Sequence, residues 1–166
     1  SELKVDKIFN AGGDQDSGIN LATNDTIKFD IATSTKATMA STGIVTIVGE
    51  GGTNTTNLQQ GLCKFFSNID GDAGTISTRD SFNQSGITDN GTGDYDFAFT
   101  NNMGNDDYCH MAIADSGSLH VAFPYGEGEQ NTGGCRTYVS EIGQGSNNYV
   151  ATNSNMVMNT VHGDLA

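Results

Sequence analysis

Apolar and polar residues alternate most clearly just before residue 100. Tyr95, Phe97 and Phe99 are separated by Asp96 and Ala98, as expected for a strand with one face in a core. The preceding run, residues 89–93, reads Asp-Asn-Gly-Thr-Gly and consists of residues suited to the positive φ angles of a tight turn. The pattern therefore predicts a β-hairpin that ends in a half-buried strand.

Further apolar runs separated by Gly- and Asn-rich turns fill the second half of the chain. We predict strands at residues 62–66, 75–79, 82–87, 95–99, 108–114, 119–123, 135–142 and 156–162. This spacing over roughly a hundred residues is typical of sandwich domains. We expect residues 58–166 to form an antiparallel β-sandwich, jelly-roll-like in outline.

The first fifty residues carry shorter β units with few apolar side chains each. A ribbon of this kind buries too little surface to offset its own ordering entropy, so we expect residues 1–50 to interlock with other copies of the chain. The predicted contacts between copies are the apolar residues of these units: Ile19, Leu21, Ile27, Phe29, Ile31, Met39, Ile44 and Ile47.

Glycine and polar residues dominate the segment between these halves, and residues 51–57 are predicted to be a linker. Over the whole chain of 166 residues there are 22 glycines and one proline. Glycine, Asn, Asp, Ser and Thr are unfavourable in helix interiors, so the composition predicts an all-β protein.

The charge is strongly acidic, with 20 Asp and Glu against seven Lys and Arg and a formal net charge of −13. Binding to a nucleic-acid backbone requires clustered basic residues, so a nucleic-acid partner is not expected. No apolar run approaches the length of a membrane span, and the first residues do not resemble a signal peptide. We expect a soluble protein that folds in a cytoplasm, with no membrane insertion.

The three cysteines, Cys63, Cys109 and Cys135, are odd in number and lack CxxC spacing. A disulfide framework is poorly supported, and we expect free thiols, with Cys63 and Cys109 buried in apolar strands.

No cofactor is expected, although a loosely bound Ca²⁺ is an alternative. Residues 14–18 and 68–72 each resemble the opening of a calcium loop, but neither run has Gly at the sixth position or Glu at the twelfth. His110, His120 and His162 lie far apart in the sequence, so three unrelated histidines are favoured over a metal triad. In a trimer, one histidine repeated around the axis could bind a metal.

The sequence contains no nucleophile elbow, no P-loop and no Cys/His catalytic motif. The acid pairs Asp94 with Asp96 and Glu127 with Glu129 could in principle cleave a glycoside, but turn and strand-face acids explain them with less strain. We therefore predict no enzymatic activity and no catalytic residues.

A loop at residues 125–134 is the best candidate for recognition, because aromatic and amide side chains on a rigid scaffold suit contacts with sugars or proteins. The predicted contact residues are Tyr125, Glu127, Gln130 and Asn131. The alternative is an ordinary long hairpin loop.

Several segments of the chain belong together: Leu-Lys-Val-Asp-Lys-Ile at 3–8, residues 35–47 with a turn glycine before an apolar strand, Leu-Gln-Gln-Gly-Leu-Cys-Lys at 58–64, Arg-Asp-Ser-Phe-Asn at 79–83, residues 87–95, Phe99-Thr100 with Met103 and Tyr108-Cys109, and Val-His-Gly-Asp-Leu at 161–165. Together these segments resemble tail-fibre-like virion proteins of marine tailed bacteriophages, of the cyanophage and pelagiphage type. The similarity is most specific in residues 58–109 and weak around 124–155. Where the family often has Trp after Lys64, this chain has Phe65 and Phe66.

This resemblance implies a homotrimeric, non-enzymatic structural component of a virion, assembled in the host cytoplasm and often located at the particle surface. A short trimeric fibre or spike is the expected form, with itself and other virion proteins as partners. Two alternatives remain: a capsid decoration protein, and a lectin-like module for host attachment that binds a surface glycan or envelope protein.

Overall fold

The computed structural model describes residues 4–9, 17–22, 25–48, 54–59, 61–117, 119–142 and 149–165. Within these ranges the chain is all-β, with antiparallel sheets and no α-helix, which confirms the predicted class. None of the described residues forms a helix long and apolar enough to cross a bilayer. The chain divides into two compact units, residues 1–61 and 62–166.

The N-terminal unit contains one six-stranded antiparallel sheet in which each strand pairs with the next one along the chain. Its strands are β1 (Lys7–Phe9), β2 (Gly18–Asn20), β3 (Thr26–Ile31), β4 (Ser34–Ala40), β5 (Val45–Val48) and β6 (Thr55–Asn57). The tight turn from β3 to β4 places Ala32 and Thr33 at positive φ, 51° and 61°. A meander of this kind requires only short connections, which suits the short β units of the sequence.

The predicted linker at residues 51–57 is incorrect at its C-terminal end. Residues 55–57 form β6 and pair with β5, and Gln59 then fastens the chain to the same sheet. The Gln59 amide accepts from Val45 N at 2.9 Å and donates to Gly43 O at 2.6 Å. Because these hydrogen bonds belong to the sheet, the second unit begins at Leu62 and not at Leu58. Residues 49–53 of the predicted linker region lie outside the described residues.

The C-terminal unit contains two antiparallel sheets. One has the order β11-β15-β7-β8 and the other β12-β13-β10-β9, with β14 paired to the end of β13. The strands are β7 (Cys63–Asp70), β8 (Ser77–Phe82), β9 (Gln84–Gly91), β10 (Asp94–Phe99), β11 (Cys109–Asp115), β12 (His120–Pro124), β13 (Gly134–Ile142), β14 (Tyr149–Ala151) and β15 (Met156–His162). A short 3-10 turn, Glu127–Glu129, precedes β13.

The core of this unit lies between the two sheets. The Phe65 ring from β7 lies 6.0 Å from the Phe97 ring and 4.9 Å from the Phe99 ring, both from β10 in the other sheet. Two facing sheets with a shared apolar interior are consistent with the predicted β-sandwich. The buried apolar side chains are Phe65, Ile69, Tyr95, Phe97, Phe99, Met103, Tyr108, Cys135, Val139, Val157 and Val161.

The strand order departs from the jelly-roll outline, in which most consecutive strands lie in opposite sheets. Here several consecutive pairs lie within the same sheet: β7 with β8 in one sheet, and β9 with β10 and β12 with β13 in the other. The hairpin of β9 and β10 has its turn where the sequence predicts it, with Gly91 and Gly93 at positive φ. A Cβ at Gly93 would collide with the main-chain oxygens of Val139 and Thr152, so this turn is packed tightly against its neighbours.

The strand predicted at residues 82–87 is divided in the structure. Phe82 ends β8 in one sheet, and Gln84 begins β9 in the other. Between them Asn83 adopts a φ of 61°. Its amide donates to Lys64 O and Asn101 O, each at 3.0 Å, and its Oδ1 accepts from Asn101 N at 2.7 Å. These hydrogen bonds hold the point at which the chain crosses between sheets.

Candidate assembly interface

One face of the N-terminal sheet is apolar along a row that crosses its strands. Residues directly opposite each other in a sheet share a face. The register pairs Ile8 with Ile19, Ile19 with Phe29, Phe29 with Ala37, and Ala37 with Ile47. A second row joins Ile27, Met39 and Val45. We call this surface the apolar face, and its members are Ile8, Ile19, Ile27, Phe29, Ile31, Ala37, Met39, Val45 and Ile47.

The opposite face of the same sheet is mainly polar, with Phe9 on β1 and Val48 on β5 as its apolar members. The register aligns Lys7, Asn20, Lys28, Thr38, Thr46 and Asn57 across all six strands. Asp30 also lies on this side, where its carboxylate accepts hydrogen bonds from Asn20 Nδ2 at 3.2 Å and Thr35 Oγ1 at 2.7 Å. These hydrogen bonds lower the pKa of Asp30 below its ordinary value, the Thr35 contact contributing most. The sheet therefore has one side suited to water and one side suited to an apolar neighbour.

Five of the nine residues on the apolar face are exposed, and the other four are half-buried. The exposed fraction is 43% for Phe29, 50% for Ile8 and 56% for Ile31. Strand β3 alternates strictly, with its apolar residues more exposed than the polar residues between them. Contiguous exposed apolar surface of this kind is typical of interaction sites.

The residues predicted to form contacts between copies mostly share this face. Ile19, Phe29 and Ile47 lie in the first row, and Ile27 and Met39 lie in the second. Leu21 follows β2, where its N–H donates to Asp6 O at 2.7 Å.

Two of the predicted residues occupy special positions. Ile31 is two residues beyond Phe29 on β3, so alternation places it on the apolar face. Ile44 lies in the turn before β5, where its main-chain oxygen accepts from Ala40 N at 3.0 Å, and so falls outside the two rows.

The predicted recognition loop is partly occupied by structural hydrogen bonds. Gln130 donates to the main-chain oxygens of Asp106 and Tyr108, each at 2.7 Å, and Asn131 Oδ1 accepts from Gly133 N at 2.9 Å. Tyr125 is 41% exposed. The side chain of Glu127 lies outside the described residues.

An ion-pair cluster next to this loop could not be seen in the sequence. Arg136 Nε and Nη2 donate to the two carboxylate oxygens of Asp94 at 2.7 Å each. The guanidinium also lies 3.5 Å from Asp96 and 3.4 Å from Glu129. The hydrogen bond to Asp94 is the main cause that raises the pKa of Arg136 above its ordinary value. Asp94 and Asp96, the acid pair noted in the sequence, are thus partners of one arginine.

Of the two runs that resemble calcium loops, residues 14–16 lie outside the described residues. In the other run, Asp70 accepts from Arg79 Nη2 at 2.8 Å and from Asp72 N at 3.2 Å. The described part of the chain contains no cluster of three or more His, Cys, Asp or Glu residues arranged to hold a metal.

The cysteines are free, as predicted, but only one is fully buried. Cys135 lies in the core, where burial raises the pKa of its thiol to about 12. Cys109 is exposed, so the expectation that it is a buried core thiol is wrong. It lies on the edge strand β11, where only every second residue faces inward. Cys109 shares the outward positions with Met111 and Ile113, which are also exposed.

His110 is the histidine most enclosed by its surroundings. Its Nε2 lies 3.0 Å from Asn159 Oδ1, which also accepts from Thr137 Oγ1 at 2.6 Å. Burial lowers the pKa of His110 below its ordinary value, and the hydrogen bond to Asn159 opposes this shift. His110 is thus part of an interior polar network.

Comparison of the chain with protein-family models, with curated proteins and with solved structures gave no match in any of the three.

Proposed function

We propose that this chain is a non-enzymatic structural protein of a bacteriophage virion, and that its N-terminal sheet assembles three copies into a short surface fibre or spike. The observation that carries the proposal is the two-faced sheet, with an apolar face on one side and a polar row on the other. The resemblance to tail-fibre-like proteins is the basis for proposing three copies.

The described strands of the N-terminal unit form a single sheet, and part of its apolar face is open to solvent. Burying apolar surface stabilises by roughly 25 cal/mol per Å², and half-exposed side chains such as Phe29, Ile31 and Met39 gain only part of this within one chain. If three copies bring their apolar faces together, each side chain replaces water with another apolar group. Association thus provides the core that one sheet cannot form alone.

The acidic charge of the chain agrees with a position on the particle surface. A net charge of −13 disfavours binding to nucleic acid, so contact with the genome is not expected. In this arrangement the sandwich of residues 62–166, which has its own buried core, is the part available for display.

Two neighbouring residues on β4 provide a matched test of the apolar face. Met39 belongs to this face, and Thr38 lies on the polar face opposite Lys28 and Thr46. An aspartate at Met39 would be buried without a partner in the assembly, whereas an aspartate at Thr38 would face water and Lys28. We expect Met39→Asp to convert the trimer to monomers and Thr38→Asp to leave it intact, as measured by light scattering after size exclusion.

Equal behaviour of the two variants would contradict the assignment of this face.

The position on the virion requires a separate measurement, a density map of the parent particle into which the sandwich is fitted. Density at tail or spike positions supports the fibre, and density distributed over the capsid surface favours the decoration protein.

A further inference from the structure

A cleft with a volume near 260 Å³ lies on the sheet formed by β12, β13, β10 and β9. It is bordered by the 3-10 turn before β13 and by residues that follow this turn. The side chains and small residues that line it include Thr88, Asp96, Ala98, Glu129, Asn131 and Gly134.

The register of the sheet explains why a depression forms here. Asp96 is opposite Arg136 on one side and Thr88 on the other, which gives a row of large polar side chains. Two residues further along β10, Ala98 is opposite Gly134 and Gly86. Because this row has almost no side-chain volume, the main chain forms the floor of a cleft beside taller polar walls.

Two carboxylates are held at the cleft by the same arginine. Arg136 forms a bidentate pair of hydrogen bonds with Asp94, whose side chain is only 15% exposed. It holds Asp96 and Glu129 through longer single contacts, and their side chains are 43% and 44% exposed. Both acids therefore lie next to the guanidinium and are still open to a ligand that donates hydrogen bonds.

Neutral polar groups complete the lining. Thr88 contributes a hydroxyl that can donate or accept. Asn131, which also lines the cleft, uses its Oδ1 to accept from Gly133 N and retains its amide nitrogen as a donor group. The cleft thus offers several acceptors and few donors, which suits a ligand rich in hydroxyl groups.

Aromatic rings continue along the same face of the sheet. The Arg136 guanidinium lies 4.5 Å from the centre of the Tyr125 ring, and the Tyr138 ring lies 5.7 Å from both Tyr125 and Phe123. Tyr125 and Phe123 are 41% and 39% exposed. Rigid amphipathic rings beside fixed polar groups are typical of recognition surfaces.

We propose that this cleft binds a sugar residue of an uncharged glycan. Hydroxyl groups donate to Asp96 and Glu129, and the apolar C–H face of a neighbouring sugar contacts the exposed rings of Tyr125 and Phe123. Three carboxylates around one guanidinium, in a chain of net charge −13, oppose an anionic ligand. This inference names the ligand class for a recognition role of the sandwich and does not depend on assembly of the N-terminal sheet.

The test uses the full-length protein on an array that carries neutral, sialylated and sulfated glycans, followed by calorimetry with the best neutral ligand. We expect binding to neutral glycans only. Asp96→Asn, which removes a charged acceptor, should weaken the affinity by about tenfold or more. Ala98→Leu, which fills the floor of the cleft, should abolish binding.

Two controls separate loss of binding at the cleft from general effects of the substitutions. Asp107→Asn removes the same charge from an exposed position outside the cleft and should leave the affinity unchanged. An unchanged unfolding midpoint must accompany each variant, so that loss of binding is not loss of fold. The proposal would be overturned if no neutral glycan bound, or if only anionic glycans bound. It would also be overturned if neutral glycans bound equally well to Asp96→Asn and Ala98→Leu. None of these outcomes would contradict the trimer.

Discussion

The two units differ in how the apolar faces of their sheets are covered. In the sandwich, two sheets bury each other's inner faces, so Phe65 and Phe97 are almost fully enclosed within one chain. In the N-terminal sheet, the corresponding side has no second layer among its own described strands, and Phe29 remains 43% exposed. The difference indicates that the sandwich is stabilised by its own core, whereas the N-terminal sheet depends on association.

The largest loss of stability should come from removing a large side chain from the core of the sandwich. Phe97→Ala should lower the free energy of unfolding of the sandwich by about 3–5 kcal/mol, because it leaves a cavity between the sheets. Phe29→Ala in the N-terminal sheet should change this unfolding transition little and weaken association instead. All five tyrosines lie in residues 62–166, so near-ultraviolet circular dichroism in the tyrosine band, on the long-wavelength side of the phenylalanine bands, reports the sandwich alone during urea unfolding.

If Phe29→Ala destabilised the tyrosine-detected transition as much as Phe97→Ala, the two units would share one core and the contrast would fail.

A smaller effect should follow from changing the packed hairpin turn. Gly93→Ala should cost about 3 kcal/mol, because the residue has a φ of 69° and its Cβ would strike two carbonyl oxygens. Gly91→Ala is the matched control, since Gly91 also has positive φ but open space around its Cβ position. Its cost should be about 1–2 kcal/mol by the same unfolding measurement. Equal losses would show that backbone strain alone, without packing, accounts for the turn.

The smallest effect concerns pH and should again be confined to the sandwich. All three histidines lie in residues 62–166, and burial lowers the pKa of His110 below its ordinary value of 6.5. The unfolded chain therefore binds a proton more readily than the folded chain, so stability is lost as the pH falls through about 6.5 toward the lower folded pKa. Groups in direct contact are the neutral Asn159 and Thr137, which supply no compensating charge.

His110→Gln should flatten this part of the pH profile when unfolding midpoints are compared between pH values above and below 6.5. An identical slope in the variant and the parent would assign the acid sensitivity to other groups.

Local alternation was sufficient to predict the parts of the fold that depend on neighbours in sequence. Tyr95, Phe97 and Phe99 face the core as predicted, and the turn that contains Gly91 and Gly93 closes the hairpin. Asn83 was missed because its role depends on hydrogen bonds to Lys64 and Asn101, which are distant in sequence.

The same limit applies to the candidate sites. The apolar residues of the first fifty positions could be named from the sequence, but their common face required the register of six strands. The cleft was missed because Arg136 lies some forty residues from Asp94 and Asp96, and only the pairing of β10 with β13 brings them together. Of the predicted loop, Tyr125 could be found from exposure and aromatic character, while the structural role of Gln130 depends on a long-range contact.

The native mass of the full-length chain tests the central claim most directly. Sedimentation equilibrium over a range of protein concentrations should give a single species at three times the monomer mass of 17.4 kDa, and this species should survive dilution. A dimer would contradict the trimeric arrangement. A monodisperse monomer at every concentration would contradict assembly through the apolar face altogether.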